Sequence, residues 1–535
     1  MQSSVQLSVL QSLCTRLRVH TFITHLTSTR SCVRPVYLYA SIFTLSLLIH
    51  PTLWAAGLFI PGGGTEATAR GGADVSGITN PTATFLNPSL LSRMKGLQIT
   101  YNHSLLWNYV SFDRSPSVIE DPSKSQDVGR GVSSNQKTLF PLNGLLAMSH
   151  DFGTPITWGF SIYGPNGTGA ASYDVQGSQR YMMTSLEGLI AYVGLSASYG
   201  KKNWGVGATL QYAMMPSLKY SMVVDGSSAS ILNPYQSPLD VEATVDVSDY
   251  TSYSAILGTW FRPVDSFEIA LSGRVIPVHF NAEGTVSVQN TPNDPQYTAQ
   301  ELNIQNGRAS FDLTLPPTAR LGLRYRHLKT KYKSESSGDK KGKEKKENNK
   351  TAQEDLNTQE EVFDIELAFV YEAWHFIDAF QVSLSGSIPV FGTTPLEKVD
   401  IDKKWKDTFS VRLGGSWNIN QHLTLMAGSF WEQGATPADY AHVDFPSFDR
   451  LGASTGLAYH INQMFTLNLA YMHVFESQSS TTEQTAKVFQ QRPIYPCPEN
   501  CGSNDQGQQY SGVPANAGTI TASFHQLSMG MTARF

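Results

Sequence analysis

The residues best suited to chemistry in this chain of 535 residues are charged side chains that alternate with apolar ones. Arg320, Arg324 and Arg326 alternate with two leucines and a tyrosine, and Asp364 and Glu366 alternate with apolar residues in a later stretch. Successive side chains of a strand point to opposite faces, so each charged set shares one face. Opposite charges on paired strands stabilise a hairpin by about 0.2–1 kcal/mol each. The pattern therefore predicts a structural role, with substrate binding as the alternative.

The motifs that mark common enzyme active sites are missing from the sequence. It contains no GxSxG, no HExxH and no GxxxxGK followed by Ser or Thr. The thirteen histidines are scattered without metal-ligand spacing, and we interpret His473 and His525 as ordinary surface or lumen residues. We predict that the protein is not an enzyme and has no cofactor or metal. A lipase-like serine–histidine pair brought together by folding is the alternative.

The composition favours one large β structure. Charged residues make up 16% of the chain, against about 25% in average soluble proteins. A formal net charge of −5 without a basic segment gives no indication of nucleic-acid binding. No break in composition separates two cores, so we do not predict several soluble domains.

Residues 1–55 have the order of a secretory signal. A flank with four arginines precedes an apolar run from Tyr37 to Ile49, and the small residues Ala55 and Ala56 follow. The apolar run is short for a transmembrane helix. We therefore predict a leader in residues 1–55 and export of the rest of the chain.

Two cysteines remain after the leader. Cys497 and Cys501 lie in a polar segment rich in turn-forming residues. In an oxidising compartment such a pair most simply forms a disulfide that closes a small loop. A metal site is the alternative, although no second cysteine pair or histidine cluster accompanies it.

Strands with one apolar face dominate the sequence after residue 97. In the last one, Leu527, Met529 and Met531 alternate with small or polar residues, and the chain ends at Phe535. Tight polar turns alternate with long loops rich in Gly, Ser and Pro, which is typical of a membrane β-barrel with a polar lumen. A soluble sandwich also contains alternating strands. We count fourteen strands, which begin near residues 97, 137, 156, 187, 204, 251, 267, 309, 362, 408, 423, 448, 465 and 518.

The segment from Ala56 to Gly96 precedes these strands and is rich in glycine and small residues. Its start at Ala56-Gly57-Leu58, its Arg70 and its Asn87-Pro88-Ser89 turn resemble the N-terminal hatch of the FadL family of outer-membrane long-chain fatty acid transporters. Leu58 stands where that family has an aromatic residue, and Ser89 stands where it has alanine. A flexible tail is the alternative reading of the segment.

Four later stretches resemble the same family. In order along the chain, they are Leu315-Pro316-Pro317 followed by Arg320 to Tyr325, Tyr371 to Trp374, Pro446 to Arg450, and Tyr471 to His473. The chain is thus identified as a member of the FadL family. The resemblance implies an all-β fold: a 14-stranded antiparallel transmembrane β-barrel over residues 97–535, plugged by a hatch over residues 56–96.

The resemblance also implies the function. We expect passive uptake of long-chain fatty acids or other hydrophobic small molecules by a monomer embedded in the lipid of a Gram-negative outer membrane, with no nucleic-acid partner. An aromatic hydrocarbon channel of the same family is one alternative. A structural or adhesin-like barrel is another.

Candidate site residues follow from the resemblance. Lys219, which stands between Tyr212-Ala213 and Tyr220, matches a basic residue that holds a carboxylate near the upper part of strand five. A solvated lysine at the edge of a loop is the alternative. Gln381 replaces a second lysine found in some relatives. The other candidate ligand-binding residues are Leu58, Phe59 and Arg320. Gly164-Pro165 matches a kink in strand three that opens the wall sideways, and the start of an extracellular loop is the alternative.

One segment departs from the family pattern. Lys329 to Glu361 is a run of charges without apolar periodicity, placed between strands eight and nine. Such a composition cannot bury a core and predicts a solvated, disordered insertion on the periplasmic side. A periplasmic docking tail is the alternative.

Overall fold

The computed structural model describes residues 59–115, 131–165, 167, 169–224, 240–291, 297–332, 357–388, 398–491, 502–503 and 509–535. The leader, Leu58, Cys497 and Cys501 lie outside these residues, so the cleavage of the leader and the disulfide remain predictions. Among the described residues, no helix is long and apolar enough to cross a membrane.

Fourteen antiparallel strands form a closed barrel, which confirms the predicted fold class. The last strand pairs with the first along its whole length, from Gln98 opposite Arg534 to Arg114 opposite Gly518. The strands are β1 (Gln98–Arg114), β2 (Leu139–His150), β3 (Ile156–Tyr163), β4 (Ser185–Gly200), β5 (Trp204–Val224), β6 (Val241–Val264), β7 (Phe267–Ile276 and Val278–Asn290), β8 (Gln305–Leu315 and Thr318–Tyr332), β9 (Asn357–Glu372 and Ala379–Ser387), β10 (Val399–Asp402 and Thr408–Asn418), β11 (Leu423–Glu432), β12 (Arg450–His460), β13 (Phe465–Thr481) and β14 (Gly518–Arg534).

The two faces of the barrel wall have the reverse polarity of those in a soluble barrel, with apolar residues outside and polar residues inside. Apolar side chains on the outside are exposed, among them Leu195, Leu210, Leu257, Leu271, Met529 and Met531. Polar side chains on the inside are buried, among them Ser196, Gln211, Ser254, Glu268, Glu366 and Gln526. Lipid accepts the outer face without a protein partner, and the polar lumen needs one.

The connections differ between the two ends of the barrel. Turns of a few residues join β2 to β3, β4 to β5, β6 to β7, β10 to β11 and β12 to β13 at one end. Long connections lie at the other end, with short strands at Val132–Ser134 and Ala170–Ser172, a 3-10 helix at Ala438–Tyr440 and a separate small sheet of Phe489–Gln491, Gly502–Ser503 and Gln509–Pro514. This asymmetry is the one predicted for an outer-membrane barrel.

Two neighbouring strands are interrupted by prolines. Pro277 separates the two parts of β7, and Pro316-Pro317 separates those of β8. Proline has no backbone N–H and cannot donate to the ladder.

The break in β9 contains a 3-10 helix at Trp374–Phe376. β3 ends at Tyr163, directly before the glycine and proline singled out from the sequence.

The segment from Phe59 to Gly96 fills the lumen. It contains two short helices, α1 (Thr65–Ala69) and α2 (Ala83–Leu86), and a 3-10 helix at Pro88–Arg93. Its backbone carbonyls accept hydrogen bonds from the wall: Thr209 donates to Thr84, Trp260 to Ser89 and Ser454 to Ala69. We call residues 59–96 the hatch below.

Several predicted boundaries shift. β6 begins at Val241 rather than near residue 251, because its outer part pairs with β5 and with the second half of β7. The charged insertion is shorter than predicted, since Tyr332 pairs with Asn357 and Lys329 with Glu360. Residues 333–356 lie outside the described part, and the two strand ends that flank them, Tyr332 and Asn357, lie on the side of the short turns.

Replacing residues 333–356 by an Asn-Gly turn should leave a barrel at least as stable as the original. Tyr332 and Asn357 are already cross-strand partners, so a two-residue type I′ turn can join them. A shorter connection also costs less closure entropy. The measurement is the thermal unfolding of the two proteins in detergent, monitored by circular dichroism. A lower unfolding temperature for the shortened chain would mean that the insertion contributes contacts to the fold.

Candidate functional site

The hatch is tied together by Asn87, one of the residues that the sequence singled out. Its side-chain oxygen accepts from the backbone N–H and the hydroxyl of Ser89, at 3.2 and 2.6 Å. Its amide nitrogen donates to the Val75 carbonyl oxygen at 2.7 Å. Pro88 follows at the first position of the 3-10 helix, where a missing N–H costs nothing. The Asn-Pro turn therefore connects the two halves of the hatch.

Arg70 joins the hatch to the wall. Its guanidinium is 1% exposed and donates to both carboxylate oxygens of Asp364, at 3.0 and 2.7 Å, and to Glu366 at 3.3 Å. Its Nε donates to the Ala73 carbonyl oxygen at 3.2 Å. Both acidic residues lie on the lumen face of β9. Burial opposes the charge of Arg70, but the two carboxylates more than offset this and raise its pKa.

Glu366 holds the backbone of the hatch. Its two oxygens accept from the N–H groups of Val75, Ser76 and Gly77 at 2.9, 2.9 and 2.8 Å. Hydrogen bonds to an ionised acceptor are about twice as strong as neutral ones. One carboxylate of the wall thus fixes three consecutive residues of the hatch.

These contacts belong to a larger cluster of charges. Glu268 on β7 accepts from Arg93 of the hatch at 2.8 Å and from Arg262 of β6 at 2.7 Å, and the Ser76 hydroxyl donates to it at 3.0 Å. Burial lowers the pKa of Arg93 to about 10, and Glu268 limits that shift. We call the whole set the hatch charge cluster: the arginines 70, 93, 262, 324 and 326 with Glu268, Glu361, Asp364 and Glu366.

Three cavities follow one another in the lumen, from the hatch toward the long loops. The hatch cavity, of about 120 Å³, is lined in part by Phe59, Asp74, Phe85, Tyr163, Gly164, Pro165, Tyr192, Arg274, Arg320, Glu372, Arg412 and Glu432. The middle cavity, of about 80 Å³, is lined by Phe59, Gly164, Pro165, Gly167, Gly169, Leu186, Gly188, Leu189, Ile190, Met215, Leu218, Tyr220, Phe311, Leu313, Phe380 and Phe445. The loop-side cavity, of about 50 Å³, is lined by apolar residues of β5 to β10 that include Leu218, Tyr220, Phe311 and Phe380.

Neighbouring cavities share lining residues, and the polarity of the lining changes from one cavity to the next. Leu218, Tyr220, Phe311 and Phe380 line both the loop-side and the middle cavity. Phe59, Gly164 and Pro165 line both the middle and the hatch cavity. The lumen is therefore apolar near the long loops and charged next to the hatch.

Most charges in the hatch cavity are paired. Arg320 lies 3.6 Å from Asp74 of the hatch, and Glu432 lies 3.7 Å from Arg412 and 3.3 Å from Arg450. Arg450 also donates to the Phe59 carbonyl oxygen, which fixes the start of the hatch. Each of these pairs includes a residue that lines the hatch cavity. A movement of the hatch would therefore change which charges of the cavity are paired.

Arg274 differs from the other cavity arginines and is not among the site residues predicted from the sequence. Its Nε atom is buried without a hydrogen-bond partner, and no carboxylate pairs with it in the described part of the chain. Its guanidinium lies 5.6 Å from the centre of the Tyr192 ring. The signal in the sequence was one arginine in an otherwise apolar segment shortly before Pro277.

The structure separates the predicted ligand residues. Phe59 and Arg320 line the hatch cavity, whereas Leu58 lies outside the described residues. Lys219 is on the other face of β5 from Leu218 and Tyr220, half exposed, with its Nζ 3.1 Å from Asp246. Its ammonium is therefore not in the lumen.

A shift in the register of β5 explains the position of Lys219. Odd-numbered residues such as Gln211 and Met215 face the lumen up to Pro216, and even-numbered ones face it afterwards. Bulges between Ala213 and Leu218 cause the change. Without them Lys219 would have pointed inward.

Comparisons with known proteins agree with this architecture. A family model described as outer membrane protein transport protein (OMPP1/FadL/TodX) matches residues 47–497. A protein of Neisseria meningitidis serogroup B, named as an outer membrane protein, is 33% identical over 93 residues. That match covers 17% of this chain and 20% of the relative. This chain therefore matches about a fifth of the length of the relative.

Solved structures are similar over most of the chain. A FadL homologue from Pseudomonas aeruginosa has a TM-score of 0.64 at 16% identity, covering 90% of this chain and 100% of its own. The toluene transporter TodX of P. putida has a TM-score of 0.60 at 12% identity, covering 89% and 99%. The toluene transporter TbuX of Ralstonia pickettii has a TM-score of 0.57 at 13% identity, covering 89% and 99%. At these identities the likeness establishes the fold.

Replacing Arg70 by methionine should loosen the hatch while the barrel stays folded. The change removes one partner of a buried ion pair, which typically costs about 3–5 kcal/mol. Because Arg324 and Ser416 still hold Asp364, we expect the lower end, or roughly a hundredfold faster amide exchange at residues 75–77. Hydrogen exchange with mass spectrometry measures this directly.

Arg326→Met is the matched control for this experiment. Arg326 belongs to the same charge cluster, but its contacts are to Glu361, Glu268 and the Asp265 carbonyl oxygen of the wall. It should leave exchange in the hatch close to that of the original protein. Equal protection of residues 75–77 in Arg70→Met and the original would show that Arg70 does not hold the hatch.

Proposed function

The chain belongs to the OMPP1/FadL/TodX family of outer membrane transport proteins, and on that premise we propose that it takes up long-chain fatty acids passively. Its place is the outer membrane of a Gram-negative bacterium. Its family and fold are those of channels for hydrophobic compounds rather than of enzymes. The choice among hydrophobic compounds is the part that we propose.

The observation that carries this proposal is the gradient along the three cavities. A fatty acid needs a long apolar slot for its tail and a cation for its carboxylate at one end. The loop-side and middle cavities are apolar and share four residues, and the hatch cavity beyond them contains arginines. A tail in the first two cavities would bring the carboxylate to the third.

Arg274 is the best candidate to bind the carboxylate. It is the cavity arginine for which the described residues provide no ion-pair partner, and its Nε lacks an acceptor. A carboxylate oxygen would supply that acceptor. Arg320 would assist, because its distance of 3.6 Å to Asp74 exceeds a normal hydrogen bond.

The route that we propose follows from the neighbours of the hatch cavity. Gly164 and Pro165 directly follow β3 and line both the middle and the hatch cavity. Leu189, which also lines the middle cavity, is exposed on the outer surface. Lateral release beside β3 would therefore lead to lipid. Residues 56–96 would act as the plug, with a monomer as the transporting unit and membrane lipid around it.

An aromatic hydrocarbon is the second candidate. Structures named as toluene transporters resemble this chain, and cavities of about 50–120 Å³ favour small compact ligands. A neutral ring needs apolar area and no cation. The two candidates therefore differ in whether Arg274 matters for binding.

Arg274→Gln should weaken the binding of a long-chain fatty acid by about ten- to a hundredfold, the value of a charge-assisted contact of about 1.5–3 kcal/mol. Binding of its methyl ester should change little, because burial of the tail depends on apolar area. Displacement of a fluorescent fatty acid in detergent measures both ligands.

Lys219→Ala is the matched control, since it removes a cation from the outer face of β5. It should leave both affinities unchanged. An equal loss for acid and ester in Arg274→Gln would mean that the residue maintains the shape of the cavity. No loss for either ligand, with tight binding of toluene, would favour the aromatic hydrocarbon.

A further inference from the structure

Two histidines from distant parts of the sequence meet on the outer surface of the barrel. His473 of β13 and His525 of β14 are direct cross-strand partners. Their Nδ1 atoms are 3.2 Å apart, and their ring centres are 4.4 Å apart. The Tyr471 hydroxyl lies 2.7 Å from the Nδ1 of His525. The Nδ1 of His525 is thus within hydrogen-bond distance of both the Nδ1 of His473 and the Tyr471 hydroxyl.

The spacing of the two nitrogens suits a metal ion. A metal that binds two imidazoles at about 2.0–2.1 Å with tetrahedral angles holds their nitrogens about 3.3–3.4 Å apart. The observed 3.2 Å is close to this spacing, and a rotation of the two rings would direct both lone pairs to one ion. In the metal-free pair one Nδ1 donates to the other. When a metal binds, that hydrogen is carried by Nε2, and both Nδ1 lone pairs face the ion.

Neighbouring aromatic rings hold the imidazoles in this arrangement. Phe475 packs edge-on against His473, with ring centres 4.6 Å apart. Tyr109 of β1 packs edge-on against His525 at 5.8 Å. A site whose ligands are already oriented loses less conformational entropy when it binds.

The pair lies where the outer surface changes from apolar to polar. Leu469 and Met529 are exposed toward the short turns, whereas Ser480 and Thr519 form a hydrogen-bonded pair toward the long loops. Tyrosine is typical of this level of a membrane protein. An ion can therefore reach the histidines from water.

We propose that His473 and His525 bind a divalent transition metal ion, with water completing its coordination. Imidazole suits Zn²⁺, Cu²⁺ and Ni²⁺, with Cu²⁺ bound most tightly, whereas Mg²⁺ and Ca²⁺ prefer oxygen. No group of three or more His, Cys, Asp or Glu forms a metal site in the described parts of the chain, so this is a two-imidazole site. The Tyr471 hydroxyl is placed to hydrogen-bond a metal-bound water.

The ion would connect β13 to β14, the strand that closes the barrel on β1. A ligand that binds only the folded protein stabilises it. The site would therefore strengthen the wall next to the closing seam from the outside, independently of any ligand in the lumen.

The test is calorimetric titration of Zn²⁺ into the exported chain, purified in detergent without a polyhistidine tag. We expect a single saturable site, and each of His473→Ala and His525→Ala should weaken it about a hundredfold, because chelation by two groups is lost. His103→Ala is the matched control. His103 also lies on the outer surface, on β1 opposite Met529, and this variant should bind like the original.

Cu²⁺ gives a second readout. Electron paramagnetic resonance should show coupling to two imidazole nitrogens in the original protein and to one in each single variant. Should an alanine variant fail to fold, His473→Gln keeps the packing volume and serves in its place. The proposal is overturned if the double variant His473→Ala, His525→Ala binds Zn²⁺ as the original does, or if His103→Ala causes the same loss.

Discussion

The contact between Arg70 and the carboxylates of β9 is the interaction on which the rest of the structure depends. Lipid outside the barrel requires an apolar outer face, so the polar residues of each strand face inward. An unpaired charge buried there would be very costly. The hatch provides the partner, because Arg70 binds Asp364 while Glu366 binds three backbone N–H groups of the hatch. Wall and hatch thus satisfy each other.

The same arrangement divides the lumen into two regions. Below, the hatch charge cluster and the buried polar residues fasten the plug. Above, the wall is apolar, and Phe311 and Phe380 separate adjoining cavities. Between them lies the hatch cavity, where Arg274 has a donor without an acceptor. A ligand with an apolar tail and an anionic head matches this order, whereas a solvent-filled pore would not need it.

The fold could be predicted from the sequence because its signal is repeated. Alternation recurs in most strands, and a single irregular strand such as β5 does not change the count. The opposite charges of β8 and β9 were also readable, and the register places Arg326 opposite Asp364. The site was less readable, because one bulge reverses all later side chains of a strand. The bulges in β5 place Lys219 on the outer face for this reason. The pairing of His473 with His525 depends on the register of two strands that are far apart in sequence.

Photo-crosslinking of a long-chain fatty acid can show directly how the ligand is oriented in the lumen. Two probes are needed, one with a diazirine at the end of the tail and one with it beside the carboxyl group. If the tail lies in the apolar cavities and the carboxylate in the hatch cavity, the tail probe labels the loop-side cavity at residues such as Leu218 and Phe380. The head probe then labels the hatch cavity at residues such as Tyr163. Labelling of the same exposed outer residues by both probes, for example Leu195 and Leu210, would contradict this orientation of the ligand.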